Sequence, residues 1–255
     1  MEEDLKQRAL RVAHAIASEM IDQGAQAVYL TGSWARGDAH RESDLDIRAV
    51  GPQRDKHLFR RDGFLVSSEW QPKEQQLEAL EDARKVGSVV PGWRSAVLLQ
   101  DPDGVAAAIK KEAENWTWDR VENELDEVVS DELAHYSEEV HSLYTNLELE
   151  LSLGAAVQRG MVASKLAPIV ALHERILYET EKELWDLVAD KMGPGWEKVQ
   201  ERALGLEGDF ATGCKATFEL FQMTVDHVGR TGDEAADEVI AHAYELAAKG
   251  MSQLG

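Results

Sequence analysis

Apolar residues along this chain first recur at helical spacing and then alternate. Leu5, Ala9, Val12, Ala13, Ile16 and Met20 fall three and four residues apart, which predicts an amphipathic helix over residues 3 to 23. The short apolar run Ala27-Val28-Tyr29-Leu30 then reads as a buried strand that ends at Thr31-Gly32-Ser33. Residues 44 to 50 alternate as a second strand, with Leu45 and Ile47 directed inward. Phe64 to Trp70 forms a third, in which Phe64, Val66 and Trp70 share one face and Leu65, Ser67 and Glu69 the other. Residues 74 to 85 favour helix, and Ala96 to Leu99 reads as a further strand. That strand is closed by the turn sequence Asp101-Pro102-Asp103-Gly104, before helix from Val105 onward.

From about Trp116 the pattern is helical almost throughout. Starts and stops fall near Ser130, Gly154, Gly160, Gly193 to Gly195, Gly205 and Gly232, which leaves four or five helices in a bundle. Stripes such as Leu166, Val170 and Leu177, or Phe218, Phe221 and Val225, are expected to form its core. The expected division is a sheet-containing domain over residues 1 to 115 and a helical domain over 116 to 255, within a boundary zone of 110 to 130. Asp101 and Asp103 are ordinary turn aspartates on this reading.

The chemistry-bearing residues cluster early. Gly32 lets the backbone approach an anion closely. Ser33 offers a hydroxyl and an amide, and the segment from Trp34 to Gly37 can begin a short helix whose amino end attracts phosphate. Arg36 adds a planar, permanently charged fork suited to phosphate oxygens. Asp44 and Asp46, two apart on a strand, project from one face, and such a carboxylate pair is tolerated best when a divalent cation neutralises it. Mg²⁺ is the natural ion, being hard and partial to carboxylates plus substrate phosphates.

These residues, Gly32-Ser33 followed by Asp44-Leu45-Asp46 between two strands, resemble the signature of the nucleotidyltransferase superfamily, the family of DNA polymerase β and kanamycin nucleotidyltransferase. The resemblance implies an α+β fold, a mixed sheet with flanking helices, joined here to the helical carboxy-terminal bundle. It implies transfer of a nucleoside monophosphate from ATP or another nucleoside triphosphate to an acceptor, with release of pyrophosphate. Carried over residue by residue, Gly32, Ser33 and Arg36 would hold phosphates, and Asp44 and Asp46 would hold Mg²⁺. The third acidic ligand usual in the family would be Glu69. Ser67 is the alternative position on that strand, where a hydroxyl could not replace a carboxylate.

The two-part plan resembles the aminoglycoside-modifying branch, with Leu172-His173-Glu174-Arg175-Ile176-Leu177-Tyr178 similar to a helix there, expected over Leu166 to Thr180. By that resemblance the general base is a helix glutamate, Glu138 or its neighbour Glu139, with Glu148 and Glu150 as rivals. A carboxylate suits this role because the acceptor hydroxyl must lose its proton as it attacks. The branch's phosphate-contacting lysine is missing, since Ser142 stands there, and Lys165 or Arg159 would have to compensate. The resemblance also implies a homodimer.

Composition narrows the class. The chain has 255 residues, 44% hydrophobic with six prolines, which fits a fully folded protein. No long apolar run or leader is visible, so neither a membrane span nor a signal peptide is expected. The single Cys214 fits a reducing, cytoplasmic setting. Eight histidines are scattered without ligand-like spacing, and no zinc site is expected from them. A net charge of −21 without a basic stripe argues against gripping nucleic acid and leaves room for a cationic acceptor. Acidic residues concentrate from Glu112 to Glu139, where Arg120 is the only lysine or arginine. What names an acceptor is the resemblance, which implies an antibiotic-resistance type of enzyme acting on a small hydroxylated acceptor such as an aminoglycoside. The alternatives are a protein-adenylylating relative of the antitoxin type and a nucleotide-binding relative without turnover.

Overall fold

The stripe that marks the first helix lies flat on a sheet. In the computed structural model, which describes residues 2–229 and 232–254, Ala9, Val12, Ala13, Ile16, Ala17 and Met20 of helix α1 (Glu2–Asp22) are all buried. They pack with the inward residues of β1 (Ala27–Thr31) and, after the short helix α2 (Gly32–Arg36), of β2 (Leu45–Val50). The unit continues through β3 (Arg54–Arg61), β4 (Phe64–Gln71), α3 (Lys73–Ala79), α4 (Val86–Ser95), β5 (Val97–Gln100) and α5 (Val105–Glu114). The strand order is β3-β4-β2-β1-β5, and among the described residues only β2 and β4 pair in parallel. Leu45, Ile47, Ala49 and Val66 are fully enclosed, and each of the larger of these contributes on the order of 1.5–3 kcal/mol by burial.

Two elements of this unit differ from the sequence reading. β3 carries the sequence Arg-Asp-Lys-His-Leu-Phe-Arg-Arg and is largely exposed, an edge strand with no apolar alternation to announce it. The helix expected over 74 to 85 stops at Ala79, and a turn through residues 80 to 85 leads into α4, which holds Pro91 within its length. Asp101 takes the structural role: its carboxylate accepts from the amides of Ala106 and Ala107 at 3.2 and 2.8 Å and so satisfies the open start of α5.

The chain divides into two compact units after Arg120. The second consists, among the described residues, of seven α-helices rather than four or five: α6 (Glu122–Glu148), α7 (Ser152–Ala163), α8 (Leu166–His173), α9 (Glu181–Met192), α10 (Pro194–Ala203), α11 (Phe210–Val228) and α12 (Glu234–Gln253). The expected breaks at Ser130 and Gly160 fall inside α6 and α7, the one near Gly154 corresponds to the gap between these two helices, and other breaks occur without glycine. The clearest is after His173, where Arg175 turns with φ +56, so the helix expected through Thr180 ends early. Gly193, Gly205 and Gly232 do mark ends. Thr180, Asp209 and Asp233 cap the following helices by accepting from backbone amides. Trp196, Phe218, Phe221, Leu133, Leu143 and Leu166 fill the core. No helix among the described residues is long and apolar enough to cross a membrane.

Candidate active site

Thr31 ends β1 in extended backbone, and Gly32 then swings the chain into left-handed conformation at φ +69 to open α2. The turn is pressed against the next strand: a Cβ placed on Gly32 would lie 2.5 Å from Asp46 Oδ2. Glycine is therefore demanded twice, by conformation and by space. Ser33 comes next, half-buried, with its carbonyl accepting from Gly37, whose own φ of +89 closes the helix.

Trp34 fixes this turn to the loop that leads into β2. Its ring is buried edge-on against Phe64, with centroids 5.8 Å apart, and its Nε1 donates to the Ser43 carbonyl at 3.3 Å. Ser43 Oγ also accepts from the His40 amide at 3.0 Å. The residues just before Asp44 are thereby tied to the Gly32-Ser33 turn. Arg36 is largely covered, with only 14% of its side chain exposed, and its guanidinium meets Asp38 Oδ2 at 3.2 Å within the same loop.

Parallel pairing of β2 with β4 sets Asp46 beside Ser67 and Arg48 beside Glu69. Asp46 is three-quarters covered, and its carboxyl sits above the usual carboxylate range. Burial is the main cause and the charge of Asp44 the next, while Arg48, Lys56 and the Ser67 hydroxyl pull the other way. Arg48, which sequence reasoning missed, bridges the strands: Nη2 lies 3.5 Å from Asp46 Oδ1 and Nη1 3.3 Å from Glu69 Oε2. Its signal was present, since Asp44, Asp46 and Arg48 share one face by alternation.

Glu69 is engaged on both oxygens. Its Oε1 accepts from Gln71 Nε2 at 3.1 Å, and the chain of bonds continues from Gln76 to Gln71 at 2.7 Å and from Trp93 to Gln76 at 3.1 Å. Trp93 in turn stacks on Tyr29 of β1 at 4.3 Å. The sheet thus brings Gly32, Asp44, Asp46 and Ser67 together and holds Glu69 one residue pair further on, against Arg48.

The helix glutamates lie in the other unit. Glu138 is exposed and Glu139 half-buried on α6. Glu148 near the end of α6 accepts from Gln253, and Glu150 lies just past the helix at φ +55. Arg159 lies over the Phe210 ring at 5.6 Å, and Lys165 stands at the start of α8.

The residues present fit a divalent hard cation. Asp44 and Asp46 offer carboxylate oxygens, and the crowding of their charge is the imbalance a cation relieves. No curated protein matches the chain. The structure is similar to the crystal structure of a nucleotidyltransferase-like protein from Exiguobacterium sibiricum 255-15 at 12% identity and a TM-score of 0.49, covering 96% of this chain and 77% of that one. The family model described as nucleotidyltransferase domain matches residues 15–130, a span that contains the Gly32-Ser33 turn, both aspartates and Glu69. The five-stranded mixed sheet lies within that match and has a nucleotidyltransferase-like, α+β fold, and a helical carboxy-terminal part follows it.

Proposed function

We propose that this protein is a Mg²⁺-dependent nucleotidyltransferase that moves AMP, or another nucleoside monophosphate, from a nucleoside triphosphate onto a hydroxyl of a small acceptor. An aminoglycoside-like antibiotic is the leading acceptor. The observation that carries this reading is the Gly32 turn lodged against Asp46, which sets backbone amides suited to phosphate beside a crowded pair of carboxylates.

In the reaction the acceptor oxygen forms a bond to the α-phosphorus as the bond to the bridging oxygen of pyrophosphate breaks, and the hydroxyl proton passes to a carboxylate. Gly32 and Ser33 cradle phosphate oxygens, with Arg36 adding charge. Asp44 and Asp46 would hold Mg²⁺, which when bound neutralises the triphosphate and the departing pyrophosphate. Glu138 or Glu139 is the proposed base. Glu69, the proposed third ligand, would first have to leave both Arg48 and Gln71. In its present place it is the counter-ion that keeps Arg48 beside Asp46.

That engagement of Glu69, with Ser67 rather than an acid beside Asp46, favours one second reading: a nucleotide-binding protein without turnover. Pyrophosphate release with Mg²⁺-ATP against a panel of aminoglycosides and other hydroxylated antibiotics separates the two. Acceptor-dependent release, lost in the Asp44→Asn, Asp46→Asn variant, is the expected result. ATP binding by calorimetry with no release for any small or protein acceptor would establish the second reading.

A further inference from the structure

Three helix ends meet in the second unit around two histidines that stand far apart in sequence. His173 closes α8, Glu174 caps it, and His227 lies in the last turn of α11. One ligand atom from each, imidazole nitrogen or carboxylate oxygen, comes within 4.8 Å of the other two. His227 Nε2 is 2.6 Å from Glu174 Oε1, and the rings of His173 and His227 sit 5.5 Å apart, edge to face.

We propose that His173, Glu174 and His227 form a zinc site, closed by water in the fourth position, that clamps the end of α8 to the end of α11. Two imidazoles and one carboxylate suit a borderline ion such as Zn²⁺ far better than the hard Mg²⁺ expected between Asp44 and Asp46. Tetrahedral Zn²⁺ with bonds of about 2.0–2.1 Å needs ligand atoms roughly 3.3 Å apart. The His227–Glu174 contact would open slightly and the longer separations close. His227 is exposed and in a terminal helical turn, so it can make that adjustment.

The local field favours a cation. The negative ends of α8 and α11 converge here, and Lys191, in the last turn of α9, already occupies Glu174 Oε2 at 2.7 Å. That ion pair leaves Oε1 for the metal. Arg175 and Asp126 are the other charged groups that act on His173, and Arg175 is drawn aside by Glu122.

The test uses the full chain without an affinity tag, freed of metal by chelation, carrying Asp44→Asn and Asp46→Asn so that the acidic pair of the first unit adds nothing. This background also makes the outcome independent of the nucleotidyltransfer proposal. Zinc titration by calorimetry should show one equivalent bound and a raised melting temperature. Co²⁺ should give visible absorption bands of imidazole coordination. His227→Asn and His173→Asn should each weaken zinc binding at least about tenfold while leaving the metal-free circular dichroism unchanged. Equal zinc affinity in the variants, or no binding at micromolar zinc and no cobalt bands in the chain with both histidines, would overturn the site and leave a His–Glu–Lys hydrogen-bonded clip. The cobalt spectrum decides the matter even if a histidine variant fails to fold.

Discussion

At Gly32 a single methyl group is the whole experiment. Alanine there would have to hold φ +69 and place its Cβ 2.5 Å from Asp46 Oδ2, so either the turn or the aspartate must move. Gly32→Ala should therefore lower kcat by about 100-fold, as expected for displacement of a reacting group by around an ångström, while the far-UV circular dichroism stays the same. Asp46 offers the opposite trade. Its carboxyl is raised above its ordinary value of 3.8, so the folded state binds the proton more tightly than the unfolded chain does. Stability is then greatest below that ordinary value and is lost as pH climbs through the raised one, leaving the metal-free protein penalised at neutral pH. Asp46→Asn removes the penalty. It should raise the melting temperature at pH 7.5 by roughly 1–4 °C without Mg²⁺, lose that advantage below about pH 4, and abolish turnover. A melting temperature unchanged at both pH values would show that burying the Asp46 charge beside Asp44 carries no cost.

Among elements, four of the five strands of the sheet were legible and β3 was not. β1, β2 and β4 announce themselves because each must bury one face or both, so their apolar residues alternate or run together. β3 is an edge strand with both faces mostly in water, and nothing in its sequence had to be apolar. α7 shows the converse: Gly160 reads as a break, yet the helix runs through it with Ala155, Val162 and Ala163 buried, and packing overrides propensity. The parallel pairing of β2 with β4 decides the fate of Glu69. Sequence alternation put Glu69 on the same face as Asp46, but only the register reveals Ser67 as the neighbour of Asp46 and Arg48 as the partner of Glu69. If Glu69 serves as counter-ion, Glu69→Gln should leave kcat within about tenfold of the unsubstituted enzyme, whereas a metal ligand would cost far more. In the helical unit, Gly250 of α12 lies on the fully buried Phe218 ring of α11, which has no room to yield. Gly250→Ala should destabilise the protein by about 1–3 kcal/mol in denaturant unfolding.

Across the whole molecule, the net charge of −21 bears on which acceptor can approach. The acidic stretch from Glu112 to Glu139 contains one lysine or arginine, Arg120, and that guanidinium is already shared by Glu81 and Glu112 at 3.0 and 2.9 Å. A surface of this kind concentrates cations near it and repels anions, and it does so over a range that salt shortens to about 10 Å at 0.1 M. The two proposed substrates carry opposite charge, so they should respond to salt in opposite directions. Raising the ionic strength from about 20 to 200 mM should increase KM for a polycationic aminoglycoside several-fold, because its attraction is screened. Over the same range KM for the Mg²⁺-nucleotide should fall or stay level, and kcat should change little, since the proposed contacts of Gly32 with phosphate and of Asp46 with Mg²⁺ would be too short to be screened. A neutral hydroxylated acceptor supplies the control, with a KM indifferent to salt. If the aminoglycoside KM proved equally indifferent, the acidity of this chain would have no part in acceptor choice, and recognition would have to rest on the side chains that touch the acceptor directly.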